Sequence, residues 1–230
     1  MPRIKYPIDL EKLKLLNEET CYWLGFIAAD GCIFEYSGGG VGLTIGLNER
    51  DKEHLLKFQN YLNDSRPLYY RSSTNSYTLT IKQRQLYDLL YSYELRPNKS
   101  LELTFPSFLK TENQIKSWIR GYIDGDGSLS VTYVKDRGNY PVLMVGIVGT
   151  EDVLEHIRPY MQTEAQLYIK KGQCSHSLTL QGNHKVYKFI NWLYKDASIY
   201  LDRKYEKYIA MNDIYRSFYG EVDLEESIEE

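Results

Sequence analysis

GFIAADG at residues 25–31 and GYIDGDG at residues 121–127 are two versions of one pattern, and the fold depends on them. Each places two small residues four positions apart and then ends in Asp-Gly. The four small residues are Gly25, Ala29, Gly121 and Gly125. Because residues four apart lie on one face of a helix, small side chains there let a second helix backbone approach closely. We therefore expect two helices that pack against each other along these residues.

A second pair of matching stretches indicates that the chain is a tandem duplication. LYYRSSTNSYTLTI at residues 68–81 aligns without a gap on LYIKKGQCSHSLTL at residues 167–180, with five identities. These stretches lie 99 residues apart, close to the 96 residues that separate the first pair. Matching landmarks in one order are typical of internal repeats. We assign residues 1–105 to an N-terminal repeat, 106–220 to a C-terminal repeat and 221–230 to an acidic, disordered tail.

Each repeat is predicted to contain a helix, a β-hairpin, a helix, a second hairpin and a closing helix. The first helix covers Thr20 to Asp30, and Gly31 ends it, since glycine is frequent directly after a helix. Residues 41–47 alternate between apolar side chains and Gly or Thr, which indicates a strand with one buried face. The second repeat follows the same order, and residues 199–219 add a further helix. The fold class is therefore α+β, with a four-stranded antiparallel sheet in each repeat.

The exposed faces of the two predicted sheets carry hydroxyl, amide and cationic side chains. Such groups suit base edges and phosphates, although any exposed sheet face is polar. In the first repeat, the candidate DNA-binding residues are Thr44, Arg71, Thr78, Thr80 and Lys82. In the second repeat, they are Ser128, Ser130, Thr132, Gln166, Tyr168, Lys170, Ser177, Thr179 and Gln181. Alone, this polarity does not separate nucleic-acid binding from an ordinary solvated surface.

The net charge of −3 is a poor guide to nucleic-acid binding, because residues 221–230 contain six acids and no base. Without them, 28 basic residues stand against 25 acidic ones, a balance that neither requires nor excludes nucleic acid. The three cysteines lack metal-ligand spacing and indicate a reducing compartment. No apolar run reaches signal-peptide or membrane-spanning length, so we expect a cytoplasmic protein of a bacterium, phage or organelle interior.

Asp30 and Asp126 are predicted to end the two motif helices. A carboxylate there faces the negative end of the helix dipole, so its position costs stability. If the two helices pack side by side, the carboxylates come together at one end and repel each other. Hard divalent cations prefer carboxylate oxygens and remove such repulsion. The paired aspartates therefore favour a metal site.

The two motifs resemble those of the LAGLIDADG homing endonucleases, and the similarity covers residues 15–215. An aromatic residue precedes each motif, at Trp23 and Trp118. RPNKS at residues 96–100 and YLDRKYEKY at residues 200–208 resemble the basic segments that close each repeat in that family. The resemblance implies two pseudo-symmetric αββαββα repeats joined at a two-helix interface. It also implies a monomeric, intron-encoded enzyme that hydrolyses both strands of double-stranded DNA at a long, asymmetric site.

The same resemblance implies the metal ligands. Asp30 and Asp126 match the final acid of each family motif, which binds the catalytic divalent cations. The backbone carbonyls of Ala29 and Gly125 are the implied additional ligands. The expected cofactor is Mg²⁺, as two or three ions.

Basic catalytic residues are implied in the same way. Lys99 and Lys204 match residues that lie at the edge of the family's active site and act on the scissile phosphate or its water network. Arg203 is the alternative to Lys204, and a surface cation on a helix-flanking loop is the ordinary alternative for each of them.

The sequence departs from the family pattern at a few positions. Ala28 stands where an acid is common, while Asp124 keeps that acid in the second motif. Since this position is not the metal ligand, its loss is expected to be tolerated. Gly46 and Gly146 stand at strand positions where some relatives carry a polar side chain near the attacking water, so water activation would rely on metal and solvent.

Two other classes of protein compete with the nuclease. One is a catalytically silent protein of the same fold, acting as an intron RNA splicing cofactor or a DNA-binding regulator, with host intron RNA as its partner. Such proteins often lose the motif acids, and this chain keeps both. The other is an unrelated α/β enzyme, which the lack of a phosphate loop or nucleophile elbow disfavours. An intein is disfavoured because the chain begins at Met1 without a Cys or Ser nucleophile.

Overall fold

The computed structural model describes residues 6–98, 102–161, 165–169 and 175–220, so the acidic tail lies outside the described residues. The chain divides into two units, Met1–Gly125 and Asp126–Glu230. Across the described ranges, we found no helix with the length and apolarity needed to cross a bilayer.

The first unit is a four-stranded antiparallel sheet with helices packed on one face. Its helices are α1 (Glu18–Asp30), α2 (Lys52–Tyr61), α3 (Arg84–Ser92) and α4 (Glu112–Asp126), whose last residue falls in the second unit. Its strands are β1 (Gly31–Glu35), β2 (Val41–Asn48), β3 (Tyr69–Arg71) and β4 (Ser76–Ile81). The strand order is β1-β2-β4-β3. Helix α1 begins after Asn17, whose side chain accepts a hydrogen bond of 2.9 Å from the Thr20 amide, as a helix N-cap does.

Buried apolar residues alternate with outward residues along β2, as the sequence predicts, and the buried side chains contribute to the core of this unit. The odd-numbered side chains are buried, and they face the same side as the buried Leu79 and Ile81 of β4. The buried members of β2 are Val41, Leu43, Ile45 and Leu47. Helices α1, α2 and α3 contact the sheet through this face, so the opposite face is left outward.

The second unit repeats the arrangement. Its strands are β5 (Gly127–Val134), β6 (Tyr140–Gly149), β7 (Gln166–Ile169) and β8 (His176–Gln181). Its helices are α5 (Glu151–Ile157), α6 (Asn183–Tyr194) and α7 (Asp202–Tyr219). The order β5-β6-β8-β7 matches the order of the first sheet. The Asn183 side chain accepts a hydrogen bond of 2.9 Å from the Leu143 amide, which fixes the start of α6 on β6.

The predicted α+β class with two four-stranded antiparallel sheets is confirmed. The end of α1 differs from the expected helix stop. Gly31 is extended, with φ −77° and ψ 136°, and it is already the first residue of β1. Glycine is required at position 31 because a larger residue would not fit: a Cβ there would lie 2.8 Å from Ile27 Cγ2. The chain therefore passes from α1 directly into β1 without a left-handed residue.

Helices α1 and α4 pack at backbone contact. A Cβ at Gly25 would overlap the carbonyl oxygen of Trp118 and lie 2.9 Å from its carbonyl carbon. A Cβ at Gly121 would likewise overlap the carbonyl oxygen of Tyr22 and lie 2.9 Å from its carbonyl carbon. Tyr22 and Trp118 each stand three residues before a motif glycine, so the contact is the same in both directions. The two helices are therefore related by a local pseudo-twofold axis.

This packing explains why the compact units and the sequence repeats have different boundaries. By sequence, α4 opens the second repeat, but it lies in the first unit because it packs on α1. An ion pair adds to the contact: the Arg120 side chain of α4 is 1% exposed, and its Nη2 lies 2.6 Å from Oε1 of the half-buried Glu18 of α1. Removal of Glu18 would be costly, because it takes this carboxylate away from a buried guanidinium.

We expect Gly25→Ala and Gly121→Ala each to lower the free energy of unfolding by about 1–3 kcal/mol through overpacking. This loss opposes the gain of roughly 1 kcal/mol that alanine has over glycine inside a helix. Urea unfolding followed by circular dichroism measures the net change in the free energy of unfolding. Gly46→Ala is the control, because its Cβ would make an ordinary contact of 3.6 Å with Thr78 Oγ1. Equal stability of all three variants would contradict the backbone contact.

Candidate functional site

The Asp30 carboxylate lies against the end of α4. A Cβ at Gly125 would lie 2.5 Å from Ala29 Cβ and 3.3 Å from both Cγ and Oδ2 of Asp30. Asp30 is half-buried and ends α1, whereas Asp126 follows Gly125 directly in the chain, ends α4 and is exposed. The predicted small residues Ala29 and Gly125 therefore meet at the carboxyl ends of the two helices.

The charges at this place favour a cation. Neither α1 nor α4 has a basic residue in its last turn. The negative end of each helix dipole is therefore not neutralised by a cation of its own helix. Across the described ranges, no three His, Cys, Asp or Glu side chains cluster into a metal cage. Magnesium usually takes one or two protein carboxylates and completes its shell with water and phosphate oxygens. The donors present therefore fit a hard divalent cation that shares its coordination with a phosphate.

Asp124 has a different role from the terminal acids. It is fully buried, and its Oδ2 accepts a hydrogen bond of 2.7 Å from the Tyr22 hydroxyl of α1. The same hydroxyl lies 3.0 Å from Nε2 of the buried His54 in α2. The repeat places Ala28 opposite Asp124, and Trp118, which has no hydroxyl, opposite Tyr22. The first motif therefore lacks the acid, at Ala28, and α4 lacks the hydroxyl that would bind it, at Trp118.

Two lysines of α7 lie along the backbone of β5 in the second unit. Lys204 is 2% exposed, and its Nζ donates to the carbonyl oxygen of Gly127, the residue after Asp126. Lys207 Nζ donates to the Leu129 carbonyl oxygen at 3.1 Å. Arg203, the alternative to Lys204, is half-buried.

Lys99, the matching lysine predicted for the first repeat, lies outside the described residues.

The candidate DNA-binding residues share the outward faces of the two sheets. Cross-strand register and alternation place Thr44, Arg71, Thr78 and Thr80 on the first face, with Lys82 directly after β4. They place Ser128, Ser130, Thr132, Gln166, Tyr168, Ser177, Thr179 and Gln181 on the second. Lys170 lies outside the described residues. None of the described members is buried, but the Ser130 Oγ is covered and forms no hydrogen bond to the described chain.

Register also shows which outward positions are equivalent in the two repeats. One row of the first sheet is Cys32, Thr44 and Thr80. The equivalent row of the second is Ser128, Gly146 and Thr179. The next row of the first sheet is Gly46, Thr78 and Tyr69. Its equivalent in the second sheet is Val148, Ser177 and Tyr168. Gly46 and Gly146 therefore stand in different rows, so they are not equivalent positions.

An exposed tyrosine of the first face was missed by the sequence reasoning. Tyr69 is 66% exposed and stands opposite Thr78, whereas its predicted counterpart Tyr168 is 52% exposed and stands opposite Ser177. The alignment of residues 68–81 on 167–180 already pairs the two tyrosines, so the signal was present in the repeat.

Comparison with known proteins identifies the fold. No protein-family model and no curated protein matches the sequence. Among solved structures, the chain is similar to the I-LtrWI LAGLIDADG homing endonuclease bound to target DNA, with 12% identity, a TM-score of 0.64, and coverage of 88% of this chain and 91% of that one. The LAGLIDADG meganuclease I-AabMI bound to uncleaved DNA gives 14% identity, a TM-score of 0.65, and coverage of 86% and 91%.

A third similar structure is I-SmaMI bound to an uncleaved DNA target in the presence of calcium ions. It shows 14% identity, a TM-score of 0.62, and coverage of 89% of this chain and 92% of that one. At such low identity the likeness concerns the fold, and it confirms at that level the resemblance seen in the two motifs.

We expect Tyr22→Phe to lower the free energy of unfolding by about 1–3 kcal/mol, the usual cost when a buried polar group loses a hydrogen-bond partner. The change removes the hydroxyl that donates to the buried Asp124 and leaves the ring in place. Thermal and urea unfolding measure the loss, with Tyr36→Phe as the control because Tyr36 is 60% exposed. Equal stability of the two variants would show that the Tyr22 hydroxyl does not support the helix pair.

Proposed function

We propose that this chain, which has the fold of the LAGLIDADG homing endonucleases, is a metal-dependent nuclease that cuts both strands of a long DNA site. The observation that carries the proposal is the position of the Asp30 carboxylate beside Gly125, the residue before Asp126, where an added Cβ would lie 3.3 Å from Asp30 Oδ2. The pseudo-twofold exchange of α1 and α4 would bring Asp126 to Ala29 in the same way. Both motif acids would then serve one cation site.

The motif residues supply oxygen donors to that site. Asp30 and Asp126 provide carboxylates, and the carbonyls of Ala29 and Gly125 end the same two helices. We propose Mg²⁺ as the physiological ion, in two or three copies. When bound, divalent ions of this kind lower the pKa of a water molecule and neutralise charge on the phosphate.

The basic residues would act beside the acids. The Lys204 ammonium already lies against the carbonyl of Gly127, one residue from Asp126, and its burial limits the positions that it can occupy. We propose that Lys204 stabilises charge on the phosphate of one strand and Lys99 does so on the other. Arg203 would take over if Lys204 stays bound to the backbone.

The outward sheet faces would hold the DNA and set the cleavage position. Each face is a polar surface that suits the major groove and would read about one helical turn, or roughly 10 base pairs. Because equivalent rows differ between the two sheets, the target is asymmetric. Since both repeats are in one chain, we propose a monomer, encoded within an intron or a similar interrupting element.

We expect Asp30→Asn and Asp126→Asn each to reduce double-strand cleavage by at least about 100-fold, as changes around metal sites do even beyond the first ligand shell. The dissociation constant for DNA should change little, because the sheet faces are untouched. The substrate is a plasmid pool carrying duplexes selected for binding to the wild-type chain, incubated with Mg²⁺. Gel shift measures affinity on the same duplexes.

Glu53→Gln is the matched control, since Glu53 is an exposed acid on α2. If both aspartate variants cut like Glu53→Gln, the metal assignment is wrong. If the wild-type chain binds a specific duplex but never cuts it with Mg²⁺ or Mn²⁺, the silent DNA-binding regulator replaces the nuclease.

A cysteine on the outward face offers an independent test of DNA binding. Cys32 is exposed and stands opposite Thr44, whereas Cys21 is buried in α1, where burial raises the pKa of its thiol to about 12. Since the thiolate is the reactive form, iodoacetamide at about pH 8 should modify Cys32 and spare Cys21. Bound target duplex should slow the modification of Cys32, and mass spectrometry of peptides from a Cys174→Ser chain measures both effects.

The control for this footprint is a cysteine on the helix side of the sheet. Asn60→Cys places a thiol at an exposed position of α2. Protection of both thiols by DNA, or of neither, would contradict binding through the outward face.

A further inference from the structure

One outward row differs in chemistry between the two sheets. In the second sheet it contains Met144 and Gln181, which are direct cross-strand neighbours. In the first sheet it contains Gly42, and Lys82 stands beside Gly42 when the register of β2 and β4 is continued by one residue. Lys82 and Gln181 are also 99 residues apart, the spacing of the aligned hairpin stretches. They are therefore equivalent positions of the two repeats.

The neighbours of these two residues differ as well. Met144 is half-buried and presents an apolar side chain next to Gln181. Gly42 presents none, and a Cβ there would overlap the carbonyl oxygen of Ile81 and lie 2.8 Å from Phe34 Cζ. The space beside Lys82 is therefore taken by the Phe34 ring and the Ile81 carbonyl, whereas the space beside Gln181 is filled by the Met144 thioether.

These two pairs match different base pairs in the major groove. A glutamine amide donates one hydrogen bond and accepts another, as the N6 and N7 edge of adenine requires, and an apolar neighbour suits the thymine methyl group. A lysine ammonium only donates, which suits the O6 and N7 acceptors of guanine.

The position of Gln181 supports base contact over phosphate contact. Its side chain is exposed and lines an outward groove of about 440 Å³, whose other polar side chains are Gln166, Tyr168, Thr179 and Lys185. A neutral amide gains little from the charge of a phosphate, which dominates sequence-independent affinity. An exposed glutamine inside a polar groove is therefore better suited to reading a base.

We infer that Lys82 and Gln181 make the two half-sites of the target differ at one mirrored position. The first repeat selects guanine there through Lys82, and the second selects adenine through Gln181 with Met144 on the thymine methyl group. This inference rests on the proposed DNA-binding function.

The test is a binding selection with the full chain on duplexes that carry a random insert of about 24 base pairs, somewhat more than two helical turns. Wild type, Lys82→Gln and Gln181→Lys are compared after sequencing. Gln181→Lys should change one A·T pair to G·C, with a change in preference of at least about tenfold, and leave the mirrored position unchanged. Lys82→Gln should make the opposite change in the other half-site.

Lys57→Gln on α2 is the control for the loss of one positive charge, and it should select the wild-type sequence. Both tested residues are exposed, so the variants should fold, and thermal unfolding checks this. If the variants select the wild-type bases, or change positions that are not mirror-related, the inference is wrong and DNA binding still stands. If the wild-type chain enriches no sequence at all, the proposed function fails and this inference fails with it.

Discussion

The close approach of α1 and α4 is the constraint on which the rest of the structure depends. Two glycines allow each helix to place a backbone carbonyl where a side chain would otherwise lie. Backbone contact at this distance requires small residues where the two helices touch, and the four-residue spacing supplies them. The same geometry brings Asp30 to Gly125 at the carboxyl ends, where two helix dipoles raise the local demand for positive charge. The close contact of α1 and α4 therefore determines both the helix packing and the position of the candidate metal ligands.

The duplicated chain is symmetric in its scaffold and asymmetric in its surfaces. Strand order, buried alternation and the glycine contacts are repeated in both copies. The outward rows are free to differ, because exposed side chains do not determine the packing of the core. Lys82 and Gln181 illustrate this freedom, while Tyr69 and Tyr168 are kept alike on both faces.

Much of this arrangement could be predicted from the sequence, because alternation and small-residue spacing are local patterns. The buried face of β2, the approach of α1 and α4, and the outward position of Thr44 or Gln181 all follow from them. Features that depend on long-range register could not be predicted. The different rows of Gly46 and Gly146 result from a longer hairpin between β5 and β6, and the extended backbone of Gly31 accompanies its pairing with Ile45 in the sheet. The burial of Asp124 depends on a hydroxyl 102 residues away.

That last hydrogen bond limits how the two copies can evolve after duplication. Tyr22 and Asp124 lie in different repeats, and so do their counterparts Trp118 and Ala28, so each helix carries half of a matched set. Exchanging the first half of the gene with that of a relative that lacks a hydroxyl at position 22 would leave the buried Asp124 carboxyl without this donor. In this chain, the two halves are complementary at this hydrogen bond, so the two motif helices are not interchangeable with each other.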